Sequence, residues 1–144
     1  MKTIGRHLIA EFYRCDVALL DDLDGIQALL LETAQVVRAT VLGHTFHQFS
    51  PQGVSGTVVI SESHLSIHTW PEYGYVSVDI YTCGGLDPHP GFRFLRQRLG
   101  AGSTRVQEIV RGLPENRDAA APPLPADVTI TSRMTSMDQV SQDA

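Results

Sequence analysis

The stretch YVSVDIYT, residues 75–82, alternates polar and apolar side chains from one end to the other. Val76, Val78 and Ile80 fall on one side of an extended chain, and the polar and aromatic residues between them fall on the other. Such a period of two indicates a β-strand that buries one face. Other runs with strand character are residues 4–13, 40–49, 54–61, 65–70 and 106–110. The sequence therefore predicts a protein built mainly on a β-sheet.

Two segments have helical character. Apolar residues recur at helical spacing from Asp16 to Ala39, and a shorter basic segment runs from Pro88 to Gly100. This order of elements predicts an α+β fold, a two-layer α/β sandwich with an antiparallel sheet and helices on one face. We expect one domain over residues 1–113. Residues 114–144 are rich in Ala, Pro, Ser and Asp, which predicts a flexible C-terminal tail.

The composition excludes several classes of protein. A formal net charge of −5 gives no support for nucleic-acid binding. No apolar run approaches the roughly 18 residues of a membrane span, so we expect no membrane partner and a cytoplasmic location. Cys15 and Cys83 are then expected to be reduced. The only lysine, Lys2, lies at the start of the chain, so a lysine-bound pyridoxal phosphate is not expected.

The stretch ISESHLSIHTWPE, residues 60–72, is dense in reactive side chains, and three kinds of chemistry fit it. A metal site would draw on histidines, but His64 and His68 lie about 13 Å apart in an extended strand. No metal ligand is therefore assigned, although His44 and His47 lie nearby in the sequence. A serine hydrolase would use the serine of this stretch, which has no Gly-x-Ser-x-Gly elbow around it.

The third kind of chemistry is cleavage of the chain by itself ahead of a serine. The serine hydroxyl attacks the carbonyl carbon of the preceding residue, and the peptide bond becomes an ester. Loss of the serine α-proton then releases the upstream acid, and the dehydroalanine that remains hydrolyses to a pyruvoyl group. Such a group is an electron sink that needs no lysine. On the residues alone, all three kinds of chemistry stay open.

A resemblance to a known family favours the third. The stretches GRHLIAEFY (5–13), FHQFSPQGVSG (46–56) and ISESHLSIHTWPEYGYVSVDIYTCG (60–84) resemble the bacterial S-adenosylmethionine decarboxylase proenzymes, which are pyruvoyl-dependent. The resemblance implies a self-cleaving zymogen, a two-layer α/β sandwich and a homodimer of cleaved protomers with active sites near the dimer interface. It implies decarboxylation of S-adenosylmethionine to S-adenosylmethioninamine, the aminopropyl donor for spermidine and other polyamines.

The resemblance also implies the residues that carry the chemistry. Cleavage between Glu62 and Ser63 gives a β chain, 1–62, and an α chain that begins with a pyruvoyl group made from Ser63. Ser55 and His68 assist processing, with His68 as the base that takes the serine α-proton. Cys83 is the proton donor that reprotonates the substrate α-carbon after a Schiff base has formed and carbon dioxide has left.

Substrate-binding residues are expected in the same stretches. The rings of Phe49 and Trp70 are predicted to stack on adenine or to contact the sulfonium cation. Glu72 is predicted to accept hydrogen bonds from the ribose hydroxyls, and Leu65 and Ser66 to line the pocket beside the new terminus. The alternative function is a pyruvoyl-dependent decarboxylase of another amino acid, such as ornithine or arginine.

Overall fold

The computed structural model describes residues 4–112, in which helices pack on one face of a six-stranded sheet. The strands are β1 Gly5–Tyr13, β2 Thr40–Gln48, β3 Val54–Ser61, β4 Ser63–Trp70, β5 Tyr75–Cys83 and β6 Ser103–Arg111. The helices are α1 Val17–Leu20, α2 Leu23–Val36 and α3 His89–Arg98, and Pro71–Tyr73 form a 3₁₀ turn. The predicted α+β fold is confirmed. The predicted tail lies outside the described residues.

The sheet has the order β2-β3-β4-β5-β1-β6, and every neighbouring pair is antiparallel. Alternate strand residues point toward α2 and α3 and form the core. The buried apolar strand residues are Leu8, Ala10, Phe12, Val54, Val58, Ile60, Leu65, Ile67, Val76, Val78, Ile80 and Val106. The residues between them form the other surface of the sheet, called here the open face, which no helix among residues 4–112 covers.

The predicted single helix from Asp16 to Ala39 is wrong, because the segment forms two helices. The side chain of Asp16 caps α1 by accepting from the N–H of Ala18, and the side chain of Asp22 caps α2 by accepting from the N–H of Gly25. Each acidic cap starts a new helix because it satisfies a backbone N–H that has no partner within the helix. The break leaves Asp21 free to contact the loop after β2.

Other boundaries differ by a few residues from the sequence prediction. β4 begins at Ser63 rather than at residue 65, and β6 extends from Ser103 to Arg111 on either side of the predicted run. β6 carries Glu108, whose buried carboxylate accepts one hydrogen bond from the Nε of Arg6 and is in contact with His89 at the start of α3. This buried pairing joins β1, β6 and α3.

Candidate active site

The predicted site residues divide between two ends of the strands β3, β4 and β5. One end carries Ser63 and Cys83 and is called here the cleavage end. The other carries Ser55 and His68 and is called the pocket end. The antiparallel register fixes this division, because Ser55 pairs with His68 whereas Ser63 pairs with Thr82, next to Cys83.

The cleavage end is built by a tight hairpin between β3 and β4. Ile60 pairs with Ser63, so the turn consists of residues 61–62 alone. Ser63 has a φ of 109°, which residues with a Cβ rarely adopt and which costs about 1–3 kcal/mol. Cys83 ends β5 as a half-buried free thiol, one residue after the partner of Ser63. The predicted scissile bond, between Glu62 and Ser63, therefore lies directly before a strained serine whose register partner is next to Cys83.

The pocket end contains a cavity of about 310 Å³, lined by Phe49, Gln52, Ser55, His68, Thr69, Trp70 and Glu72. Phe49 is 49% exposed and Trp70 is 37% exposed. Neither ring is therefore part of the hydrophobic core, and both present surface to the cavity. The carboxylate of Glu72 is held at the rim by the side-chain amide of Gln52, at 3.0 Å. The cavity thus combines two rings with a carboxylate.

Ser55 and His68 form a direct contact in this end. The Ser55 Oγ lies 2.7 Å from the Nδ1 of His68. The two residues are register partners on β3 and β4, so the backbone pairing holds the contact in place. A hydroxyl that donates to Nδ1 leaves Nε2 of His68 as the proton-bearing nitrogen, whereas a hydroxyl that accepts leaves Nε2 unprotonated. In either tautomer, the second ring nitrogen is available for a further partner.

The two ends are well separated within one chain. Ser63 and His68 are five residues apart on β4, which corresponds to about 17 Å along an extended strand. The structure therefore brings Ser55 together with His68, and Ser63 close to Cys83, but it does not bring the two pairs together.

Leu65 and Ser66, predicted to line the pocket, point in opposite directions. The side chain of Leu65 is fully buried in the core on the helical side of the sheet. Only its backbone is available to a ligand on the open face, because alternate strand residues point to opposite faces. Ser66 lies on the open face, where its hydroxyl donates to Asp79 at 2.8 Å.

A polar network occupies the middle of the open face. The Asp79 carboxylate receives Ser66 on one oxygen and contacts the Nε2 of His7 at 3.0 Å with the other. His7 also stacks on Tyr81, and His64 meets both rings edge-on. The sequence pattern alone gave no functional role to His7 or Asp79. The alternation along β1 could have placed His7 on the open face, but its partner on β5 depends on the sheet register.

The network shifts the pKa values of two of its residues, Asp79 and His64. The hydrogen bond from His7 holds the pKa of Asp79 below its ordinary value, and the bond from Ser66 adds to this against the opposing effect of burial. Burial is the main cause that lowers the pKa of His64; His7 and Arg111 lower it further, against the opposing effect of the Asp79 carboxylate. Asp79 is therefore ionised and His64 is neutral at physiological pH. His64, which directly follows Ser63, thus has an uncharged imidazole.

An aromatic stack extends from the pocket end across the sheet. Trp70 stacks on Tyr75, and Tyr75 stacks on Tyr13. Both tyrosine hydroxyls donate to the carboxylate of Glu11, at 2.6 and 2.9 Å. Burial and the bond to Glu11 raise the pKa of Tyr75 to about 12. Trp70 is thus supported from behind by a hydrogen-bonded stack, which limits its movement.

Residues 4–112 contain neither a metal-binding cluster nor a membrane-spanning helix. Within that part of the chain, no group of three or more His, Cys, Asp or Glu side chains is arranged to hold a metal ion. The helices described there also include none that is long and apolar enough to cross a membrane.

Comparison with known proteins identifies the family. A family profile described as S-adenosylmethionine decarboxylase matches residues 6–112. The chain belongs to this family. The crystal structure of the adenosylmethionine decarboxylase from Aquifex aeolicus VF5 superimposes with a TM-score of 0.74 at 32% identity, covering 83% of this chain and 100% of that chain.

Curated relatives similar in sequence include several bacterial proenzymes of this family. The S-adenosylmethionine decarboxylase proenzyme of Fervidobacterium nodosum is 49% identical over 123 residues, covering 81% of this chain and 90% of the relative. The corresponding proenzyme of Thermotoga petrophila is 51% identical over 113 residues, covering 78% of this chain and 87% of the relative. That of Acidithiobacillus ferrooxidans is 45% identical over 113 residues, covering 78% and 85%. These matches confirm the predicted family and enzyme class.

Proposed function

We propose that this chain is a self-cleaving, pyruvoyl-dependent decarboxylase that converts S-adenosylmethionine to S-adenosylmethioninamine and carbon dioxide, for spermidine and other polyamines. Cleavage between Glu62 and Ser63 would give a β chain, 1–62, and an α chain that starts at residue 63. The observation that carries the proposal is the strained Ser63 directly after a two-residue hairpin turn, with a register partner, Thr82, next to Cys83. The cytoplasm remains its expected location.

The residues at the cleavage end fit a pyruvoyl group. The strain of the positive φ at Ser63 is released when the bond before it breaks, which favours the acyl shift to the serine oxygen. When formed, the group supplies an electrophilic carbonyl that takes up the substrate amine and accepts electrons as carbon dioxide leaves. Cys83 lies within one residue of the register partner of Ser63, which supports its proposed role as the proton donor to the substrate α-carbon.

The pocket end fits the remainder of the substrate. The rings of Phe49 and Trp70 offer faces for adenine and for the sulfonium cation, a contact worth roughly 0.5–2 kcal/mol. Glu72 carries a carboxylate that accepts from ribose hydroxyls. Ser66 holds Asp79 on the floor between the two ends, and Leu65 contributes only its backbone.

A homodimer joins the two ends into one site. Because His68 lies about 17 Å along the strand from Ser63 of its own chain, the processing base for Ser63 is His68 of the partner subunit in this proposal. Two open faces that meet with their strands reversed would place the pocket end of one subunit over the cleavage end of the other. Each dimer then holds two equivalent sites, as a two-fold symmetric interface requires.

Carbon dioxide release from carboxyl-labelled substrates tests the function. The processed protein is incubated in parallel with S-adenosylmethionine, ornithine and arginine, and Ser63→Ala serves as the inactive control. We expect release from S-adenosylmethionine alone, because the two rings and Glu72 suit a nucleoside. Release from ornithine or arginine instead would support the alternative substrate, and release from none of them would overturn the decarboxylase proposal.

A further inference from the structure

Gln52 lines the pocket end but is not among the predicted site residues. Its side-chain nitrogen lies 3.0 Å from Oε2 of Glu72. A carboxylate can only accept hydrogen bonds, so the amide must present its NH₂ group to Glu72. Among residues 4–112, no side chain donates to the other oxygen, Oε1. One oxygen of Glu72 is thus held by the protein, and the other is available for a ligand.

The backbone that carries Gln52 is anchored on both sides. Oδ1 of Asp21 accepts from the N–H of Gly53 at 2.9 Å, and the hydroxyl of Thr69 accepts from the N–H of Val54 at 2.9 Å. The loop is also closed by the N–H of Phe49, which donates to the carbonyl of Gly53 at 2.8 Å. The loop therefore presents Gln52 from a fixed position.

The backbone that carries Glu72 is anchored as well. Glu72 lies in the 3₁₀ turn that ends at Gly74, a glycine with a φ of 60°. The carbonyl of Gly74 accepts from the N–H of Cys15 at 2.9 Å, which ties the turn to the chain after β1. Two independently anchored segments thus meet through one side-chain hydrogen bond at the rim of the cavity.

We propose that Gln52 is a positioning residue, which sets the rotation of the Glu72 carboxylate so that the site selects a nucleoside with intact ribose hydroxyls. This inference rests on the proposed function, since it assigns Glu72 to the ribose of S-adenosylmethionine. A free carboxylate rotates about its last bonds, whereas one held through Oε2 keeps Oε1 aimed at a fixed point. Gln52 thereby lowers the entropy that substrate binding must remove.

Steady-state kinetics of Gln52→Ala and Gln52→Glu test the role. The glutamate variant keeps the size of the side chain but lacks the donor and adds a like charge next to Glu72. We expect KM for S-adenosylmethionine to rise about five- to tenfold in the alanine variant and further in the glutamate variant. The expected kcat stays within about twofold of wild type, because Gln52 does not touch the reacting atoms. Gln97→Ala, an exposed glutamine on α3, is the matched control.

Analogues of S-adenosylmethionine that lack the 2′- or 3′-hydroxyl separate positioning from general damage to the pocket. Wild type should turn over the deoxy analogues with a raised KM, and this penalty should shrink in Gln52→Ala. Equal penalties in both proteins, or a KM for the natural substrate that Gln52→Ala leaves unchanged, would overturn the role of Gln52 while the decarboxylase proposal stands. Failure of wild type to decarboxylate S-adenosylmethionine would overturn both.

Discussion

Ser63 and His68 lie on the same strand, five residues apart and at opposite ends of β4. Each has its own partner at its own end, since Cys83 lies beside Ser63 and Ser55 contacts His68 at 2.7 Å. The strand is fixed in the middle of a six-stranded sheet, so it cannot fold back to join them. The chemistry proposed for these residues would therefore combine residues of two copies of the chain, as in the proposed homodimer.

Complementation between two inactive variants tests this requirement. Ser63→Ala and His68→Ala should each stay uncut when expressed alone. When they are co-expressed with different tags, a mixed dimer brings Ser63 of one variant to His68 of the other. If the two chains associate at random, about half of the His68→Ala chains should be cut. Cleavage of His68→Ala on its own, or no cleavage in the mixture, would show that processing does not cross the interface.

The network of His7, Ser66 and Asp79 predicts a specific dependence of stability on pH. The pKa of Asp79 is lowered in the folded protein, chiefly by the bond to His7. The contribution of Asp79 to the free energy of unfolding is therefore present above its unfolded-state pKa, near 3.9. This contribution is lost as the pH falls through the lower pKa of the folded state. Asp79→Asn should reduce the free energy of unfolding at pH 7 by about 1 kcal/mol, since the site is partly exposed.

Urea unfolding of wild type and Asp79→Asn at pH 7 and near pH 3 measures this effect. The difference in the free energy of unfolding between wild type and Asp79→Asn should be smaller near pH 3 than at pH 7. A double-mutant cycle with His7→Gln provides the control, because partners in one network give non-additive changes. Additive changes, or a difference that is the same at both pH values, would contradict the assigned contact.

The two cysteines should differ strongly in reactivity. Burial raises the pKa of the Cys15 thiol to about 11, and this side chain is 6% exposed. Cys83 is more exposed, at the end of β5. Because the thiolate is the reactive form, iodoacetamide near pH 8 should label Cys83 well before Cys15. Peptide mass spectrometry reports both sites, and unfolded protein, in which both react, is the control. Fast labelling of Cys15 in folded protein would contradict its burial.

Much of the fold could be predicted because the strands show their buried face directly in the sequence. The alternation in residues 75–82 predicted which side of β5 is buried, and the structure confirms it. The break between α1 and α2 was missed because the apolar spacing continues through it. Only the caps at Asp16 and Asp22 mark the two starts, and consecutive acidic residues also suit the first turn of one longer helix.

The candidate site was less accessible to sequence reasoning, because its contacts cross between strands. The order of residues alone does not predict that His7 contacts Asp79, which is 72 positions away, or that Gln52 donates a hydrogen bond to Glu72. The alternation along β4 would have placed Leu65 on the same face as Ile67, and hence in the core. Proximity to Ser63 in the sequence suggested a pocket residue instead.

Intact-mass analysis of the purified protein tests the central claim most directly. Cleavage ahead of Ser63 predicts two fragments, residues 1–62 and 63–144, with a keto group in place of the amino group at the start of the second. The same analysis of Ser63→Ala should give one uncut chain. A wild-type protein that is soluble, folded and a single uncut polypeptide, with an ordinary Ser63, would contradict the account.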